Sequence, residues 1–208
     1  MSRMRELGII GVFPIVLLLS VCPFPFPARA AEATEVVAKL QATLQESMKN
    51  SERLGFQGRY QKLKPVVIDT HDLPFVTRLV LGRYWTTLTD EQKELFLNVF
   101  RRLSIASYAG RFDRYKGQRF EVGTEKALSR GQGRMVEGEL IKPDGEIVRF
   151  TYLLHRVAGD WRIVNIIVNG VSDLALKRAE YDTILDKEGF SRLIEMMEEQ
   201  IRGYAEGQ

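Results

Sequence analysis

At Tyr115 the periodicity of the chain changes, and that change constrains the fold more than any other feature. Before it, apolar residues recur at helical spacing; after it, four segments alternate residue by residue: Gln118 to Gly123, Gln132 to Ile141, Glu146 to Val157 and Trp161 to Asn169. These read as strands. "KPDGE" (Lys142 to Glu146) and "AGD" (Ala158 to Asp160) join the last three as hairpins, so that part of the sheet is antiparallel. The third strand sets Val148, Phe150, Tyr152 and Leu154 on one face. In the fourth, Trp161, Ile163 and Ile167 alternate with Val164, Ile166 and Val168 before the chain turns at Asn169-Gly170. A strand apolar on both faces needs cover on both, or one covering layer and something else to fill the other side.

Helices flank the sheet on either side in sequence. Val36, Val37, Leu40 and Leu44 mark a first helix over Ala33 to Lys49, and a second covers about Phe56 to Val67. Asp72 then N-caps a third, with Pro74 in its first turn and Gly82 as its stop. Thr89 and Gln92 form a capping box for the clearest helix in the chain, whose stripe is Leu95, Phe96, Val99, Phe100 and Leu103. Two helices close the chain, Ser172 to Leu185 and Glu188 to Arg202. The last carries a stripe of Phe190, Leu193, Ile194, Met197 and Ile201. The expected organisation is α+β, with residues 31–208 as a single domain.

The first 30 residues read as an export signal. Arg3 and Arg5 precede an apolar run from Leu7 to Val21, and Ala28-Arg29-Ala30 offers a small-x-small cleavage site before Ala31. A run of that length, interrupted by Pro14, is short for a bilayer span, which needs roughly 20 residues. "LSVC" (Leu19 to Cys22) resembles a lipoprotein box, but Val21 is bulky where such boxes want a small residue. Cys22 is the only cysteine in the chain. Cleavage after Ala30 therefore leaves no disulfide or thiol chemistry. Arg3, Arg5 and Arg29 against Glu6 account for +2 of the formal +3 charge, leaving about +1 for residues 31–208. That balance is no footprint for nucleic acid.

Catalytic signatures are not apparent. The two histidines, His71 and His155, are far apart, and "DTHD" (Asp69 to Asp72) reads more simply as a capped helix start than as a metal site. No nucleophile elbow or phosphate loop appears, and the glycine-rich "GQGRMVEG" (Gly131 to Gly138) enters a strand instead of a helix. Among carboxylates near the sheet, Glu137 and Glu139 fall near a hairpin and Asp173 at a helix start, an ordinary capping position. The expectation is a protein without catalysis, metal or cofactor.

Four segments taken together carry a family resemblance. "LVLGRYWTTLTDEQKELFLNVFRRL" (Leu79 to Leu103), "YKGQRFEV" (Tyr115 to Val122), "WRIVNIIVNGVSDLALKRAEYDTIL" (Trp161 to Leu185) and "GFSRLIEMM" (Gly189 to Met197) resemble, in order and spacing, the toluene-tolerance/MlaC family of periplasmic lipid-binding proteins. The resemblance implies a nuclear-transport-factor-like fold: a curved antiparallel sheet of about four strands, with helices enclosing an apolar cavity. It implies a soluble periplasmic carrier, with a lipid as ligand and inner- and outer-membrane lipid-transport complexes as partners; no long heptad run demands more than a monomer.

Position by position, the family's Gly-Val-Ser turn falls on Gly170, Val171 and Ser172, its arginine on Arg178 and its aromatic on Tyr181. Asn165 stands where an Asp is common, and Asp173 where an apolar residue is usual. By this reading Arg149 lacks its customary carboxylate. These departures resemble an HpnM-like, hopanoid-associated subgroup, so the cargo stays open between a phospholipid and a hopanoid-type lipid. The expected cavity set is Phe75, Leu79, Phe96, Phe100, Tyr108, Phe112, Val148, Phe150, Tyr152, Leu154, Ile163 and Ile167, with Arg149, Asn165 and Arg178 as a polar rim. The competing reading is an adaptor with a filled core, whose last helix docks a membrane complex through Phe190, Leu193 and Met197.

Overall fold

In the computed structural model, residues 32–129 and 132–207 are described. The signal peptide expected over residues 1–30, with its cleavage site, lies outside them. Helix α1 (Ala33–Lys49) buries Val37, Leu40, Leu44 and Met48 along one stripe. Helix α2 (Ser51–Thr70) is longer than its sequence suggests. Gly55, at φ 58°, interrupts it as only glycine readily can, and helical geometry resumes through Pro65 to Thr70. Helix α3 (Leu73–Leu81) begins as expected, with Asp72 Oδ1 accepting from the Phe75 amide at 3.0 Å, and ends at Gly82. The capping box of Thr89 and Gln92 opens α4 (Asp90–Arg111).

The sheet is a meander in the order β1-β2-β3-β4-β5, antiparallel at every pairing. Its strands are β1 (Arg119–Ala127), β2 (Arg134–Ile141), β3 (Ile147–Val157), β4 (Asp160–Val168) and β5 (Val171–Ser172). Two of the turns are two-residue loops with positive φ at both central positions: Ala158-Gly159 between β3 and β4, and Asn169-Gly170 between β4 and β5. That geometry matches the twist of the flanking strands. The short fifth strand arises because Asn169-Gly170 folds the chain back as a hairpin before α5 (Asp173–Lys187) begins. Helix α6 (Gly189–Glu206) completes the chain.

The apparent two-sided apolarity of β4 has a specific cause. Ile163 pairs with Leu154, yet Asn165 pairs with Leu153, so Val164 is an extra residue in a β-bulge. Beyond the bulge the alternation is shifted by one: Ile166 faces Tyr152 and Val168 faces Phe150, while Ile167 pairs with Thr151 on the opposite side. Ile163, Ile166 and Val168 therefore share one face, which strict alternation assigns to two.

Helices cover mainly that face, although the α2–α3 joint also reaches His155 on the other through Asp72 and Phe75. Helix α1 packs on β1, β2 and β4, α2 and α3 reach β4, and α4 packs on α2, α3 and α6. The other face carries ion pairs such as Lys126 with Glu137 at 2.9 Å. Arg149 is not short of a carboxylate: its Nε lies 3.6 Å from Glu139 across the β2–β3 pairing. The stripe of α6 packs at home, with Leu193 and Met197 fully buried, so it offers no free docking face of the kind an adaptor would need.

Gly138 lets α1 lie close on β2. A Cβ there would stand 2.7 Å from Gln41 Nε2 and 3.3 Å from both the Tyr152 ring and the Glu121 carbonyl. Gln41 is buried and donates to the Tyr152 hydroxyl at 3.2 Å. Gly138→Ala is expected to break that bond and cost about 1–3 kcal/mol, measured by urea unfolding; unchanged stability would show that α1 can shift freely on the sheet.

Candidate functional site

Between α4 and the covered face of the sheet the packing stays open, leaving a cavity of about 260 Å³. Its helical wall is one stripe of α4, Phe100, Ser104 and Tyr108, continued at the same i, i+4 spacing by the C-cap residue Phe112, with Ser107 beside them. Its sheet wall is Phe150, Tyr152, Ile163, Ile166 and Val168, brought to one face by the bulge at Val164. Leu40 and Leu44 of α1 and His71, Leu73 and Val76 at the α2–α3 joint add to the lining, and Arg111, Asn165, Asp173 and Lys177 stand at its polar end.

Two features keep this space open. Ser104 and Ser107 are small residues in a stripe otherwise bulky, and their hydroxyls donate to the Phe100 and Ser104 carbonyls at 2.8 and 2.9 Å. Their polarity is thus spent within the helix. Aromatic rings frame one side as a continuous band, Tyr108 to Phe112 to Phe120 to Phe150 to Tyr152, with centroids 5.9–6.2 Å apart, within the range of favourable ring pairs.

The polar atoms inside are few and mostly paired. His71 Nδ1 faces the Val67 carbonyl at 3.1 Å, an acceptor only, so Nδ1 carries the hydrogen. Its Nε2 then accepts from the Tyr108 hydroxyl at 3.0 Å. Burial lowers the His71 pKa to about 4 and raises that of Tyr108 well above the usual phenol value. Tyr152, also buried, is pushed up to about 12. All three groups are neutral at physiological pH. At the mouth, Asn165 Oδ1 accepts from the Leu174 amide at 3.3 Å and bonds Ser172, which itself caps α5.

Of the twelve residues expected in the cavity, the structure brings six together there: Phe100, Tyr108, Phe112, Phe150, Tyr152 and Ile163. Phe96 lies one turn before Phe100 but packs edge-on against Tyr181 of α5, and Leu154 is equally buried in the core. Phe75 rests on His155, with ring centroids 4.6 Å apart. Leu79, Val148 and Ile167 are not among the lining residues, Ile167 because the bulge turns it to the far face. Of the expected rim, Asn165 is at the cavity, whereas Arg149 is exposed on the outer sheet face and Arg178 packs over Gly82. Sequence reading did not single out Ser104, Ser107, Arg111 and Lys177; the one available signal was small residues breaking an otherwise bulky helical stripe.

The family model described as MlaC protein matches residues 34–199. The chain belongs to the MlaC protein family. Similar proteins include the intermembrane phospholipid transport system binding protein MlaC of Haemophilus influenzae, 26% identical over 131 residues. That match covers 62% of this chain and 61% of the relative's length. The toluene tolerance protein ttg2D of Pseudomonas putida is 24% identical over 188 residues, covering 90% of this chain and 84% of the relative. Among solved structures, a phospholipid-binding protein from Ralstonia solanacearum, in complex with a phospholipid, superposes with a TM-score of 0.71 at 21% identity. The superposition covers 85% of this MlaC-family chain and 99% of that one, which establishes the shared α+β fold. The family is one of lipid-binding transport proteins and not of enzymes.

Because folded His71 holds its proton only below pH about 4 while an unfolded histidine takes one up near 6.5, stability is full above pH 6.5. It falls as the pH drops toward 4, by about 3 kcal/mol in all from this group. Urea titrations at pH 7.5 and 4.5 are expected to show His71→Gln losing less stability on acidification than the parent; equal losses would place the acid sensitivity elsewhere.

Proposed function

We propose that this MlaC-family chain is a periplasmic carrier that shelters the apolar part of a membrane lipid in the cavity beneath α4. The observation that carries the reading is the cavity itself, walled by aromatic and aliphatic side chains, with the polar groups inside it mostly paired. Moving one sixteen-carbon chain into water costs on the order of 12 kcal/mol, at roughly 0.8 per methylene. A carrier must offset most of that with apolar wall, and the aromatic and aliphatic lining of this cavity is of that kind. The reading needs no bond broken and no cofactor.

Phospholipid is the favoured cargo, in keeping with what the Haemophilus and Ralstonia relatives are named for. The departures at Asn165 and Asp173 motivate hopanoid as the other cargo to look for. Residues 1–30 act in this reading as a cleaved signal peptide, and the mature protein shuttles as a monomer between lipid-transport complexes of the inner and outer membranes. Among the described residues no helix is long and apolar enough to cross a membrane, which suits a shuttle. A filled-core adaptor is disfavoured by the open cavity and by the buried stripe of α6.

The test is to recover the protein from the periplasm without detergent and identify what it carries by native mass spectrometry and lipid extraction. A bound lipid in stoichiometric amount is expected, on a chain beginning at Ala31. Ser104→Trp, which puts an indole into the cavity from α4, is expected to lose the lipid while keeping or raising Tm. Parent protein that remains lipid-free after incubation with phospholipid vesicles would contradict the carrier reading.

A further inference from the structure

The cavity measures about 260 Å³, less than the roughly 300–1,000 Å³ of sites that enclose drug-sized ligands. Two long acyl chains are at least that large a ligand, so a lipid carrying both enters only if one wall gives way. The walls are unequally fixed. Helices α1 and α4 bury seven residues each. The end of α4 is held further, because the buried Arg59 donates through Nε to the Ala109 carbonyl at 2.8 Å and Tyr108 bonds His71 at 3.0 Å. Strands β1 to β4 are paired along their lengths.

Helix α5 is fastened far less. Over 15 residues it buries only Tyr181, although Asp173, Leu174 and Lys177 of its first turns form part of the cavity lining. Tyr181 packs edge-on against Phe96, yet its buried hydroxyl, like Asp182 Oδ1, makes no hydrogen bond among the described residues. Both gain partners when water reaches them. Beyond the two-residue pairing of β5, the start of the helix is tied to β4 by one side chain: Asn165 Nδ2 donates to Ser172 Oγ at 3.0 Å, and its Oδ1 accepts from the Leu174 amide at 3.3 Å. The ties to Gln200 of α6 through Glu180, and to Arg83 through Asp186, are exposed and contribute little. Glycines at φ 84° flank the helix, Gly170 before it and Gly189 after it, and a Cβ at either would meet nothing within 4 Å. The chain is free to turn there.

We propose that α5 is a lid, whose first turns swing off β4 about Gly189 to admit a two-chain lipid and return to close over it. An element with little buried area and exposed ties is the one a fold opens most readily. The proposal rests on the carrier reading and adds to it the wall that moves.

The test fixes α5 to α6. Residues 31–208 hold no cysteine, so Glu180→Cys with Gln200→Cys supplies a unique pair of thiols. Protein recovered from the periplasm and stripped of lipid is bridged between them by a short bifunctional reagent; the control carries the same two cysteines, each capped by a monofunctional reagent of similar bulk. Uptake from vesicles of dioleoylphosphatidylcholine and dioleoylphosphatidylglycerol is followed by native mass spectrometry. The bridged protein is expected to load about tenfold or more slowly than the capped one, with Tm undiminished. Asn165→Ala, which frees the start of α5, is expected to load several-fold faster than the parent, and hydrogen exchange on the empty parent to show α5 amides less protected than those of α4. Bridged protein loading at the capped rate, Asn165→Ala loading no faster than the parent, or α5 amides as protected as those of α4 overturns the lid and leaves the carrier reading standing. Parent and capped protein that take up no lipid overturn the carrier reading, and the lid with it.

Discussion

Two consecutive residues, His71 and Asp72, hold together the elements that enclose the cavity. The Asp72 amide donates to the Ile163 carbonyl of β4 at 3.0 Å, fixing the α2–α3 joint to the sheet. Its carboxylate caps α3 through one oxygen and meets His155 of β3 at 2.8 Å through the other. His71 reaches the opposite way, accepting from Tyr108 of α4. Five elements thus converge on one dipeptide, and each bond is made where water is largely excluded, so losing one partner would strand the other. Helix α4 is tied to the joint at one point and propped on α2, α3 and α6 elsewhere, which holds it off the sheet instead of letting it collapse there.

That spacing makes the cavity a consequence of architecture more than of any single residue. The bulge at Val164 directs Ile163, Ile166 and Val168 to the same face, and the serines of α4 withhold bulk from the opposite wall. Apolar area thereby goes unburied by protein. In a folded domain such area is a cost, since cavity walls lose the contacts that close packing would give. A ligand that fills the space restores them, which is why an open apolar cavity in an otherwise packed core supports a binding role.

Local chemistry made much of the fold legible. Asp72 and Thr89 are helix caps because their side chains reach the amides three residues on, and Asn169-Gly170 is a hairpin turn because both residues tolerate positive φ. These signals depend on a few adjacent residues and survive without tertiary context. The candidate site was less legible because it depends on what lies across from each residue. Phe96 and Phe100 occupy the same helical stripe, yet one meets Tyr181 and the other the cavity. Core and cavity wall use the same residue types, so composition cannot separate them. Ile167 was displaced by a bulge that leaves no mark in a run of valines and isoleucines. Arg111 went unnoticed because its place beside the cavity appears only once α5 and α6 are packed against the end of α4.

The central claim is that the space between α4 and the sheet holds the chain of a bound lipid. A crystal structure of the protein purified without detergent tests it directly. The account expects continuous density for an acyl chain between Tyr108 and Phe112 on one side and Phe150, Ile166 and Val168 on the other, emerging beside Arg111. A cavity filled by ordered water, or closed by α4 settling onto β3 and β4, would contradict it.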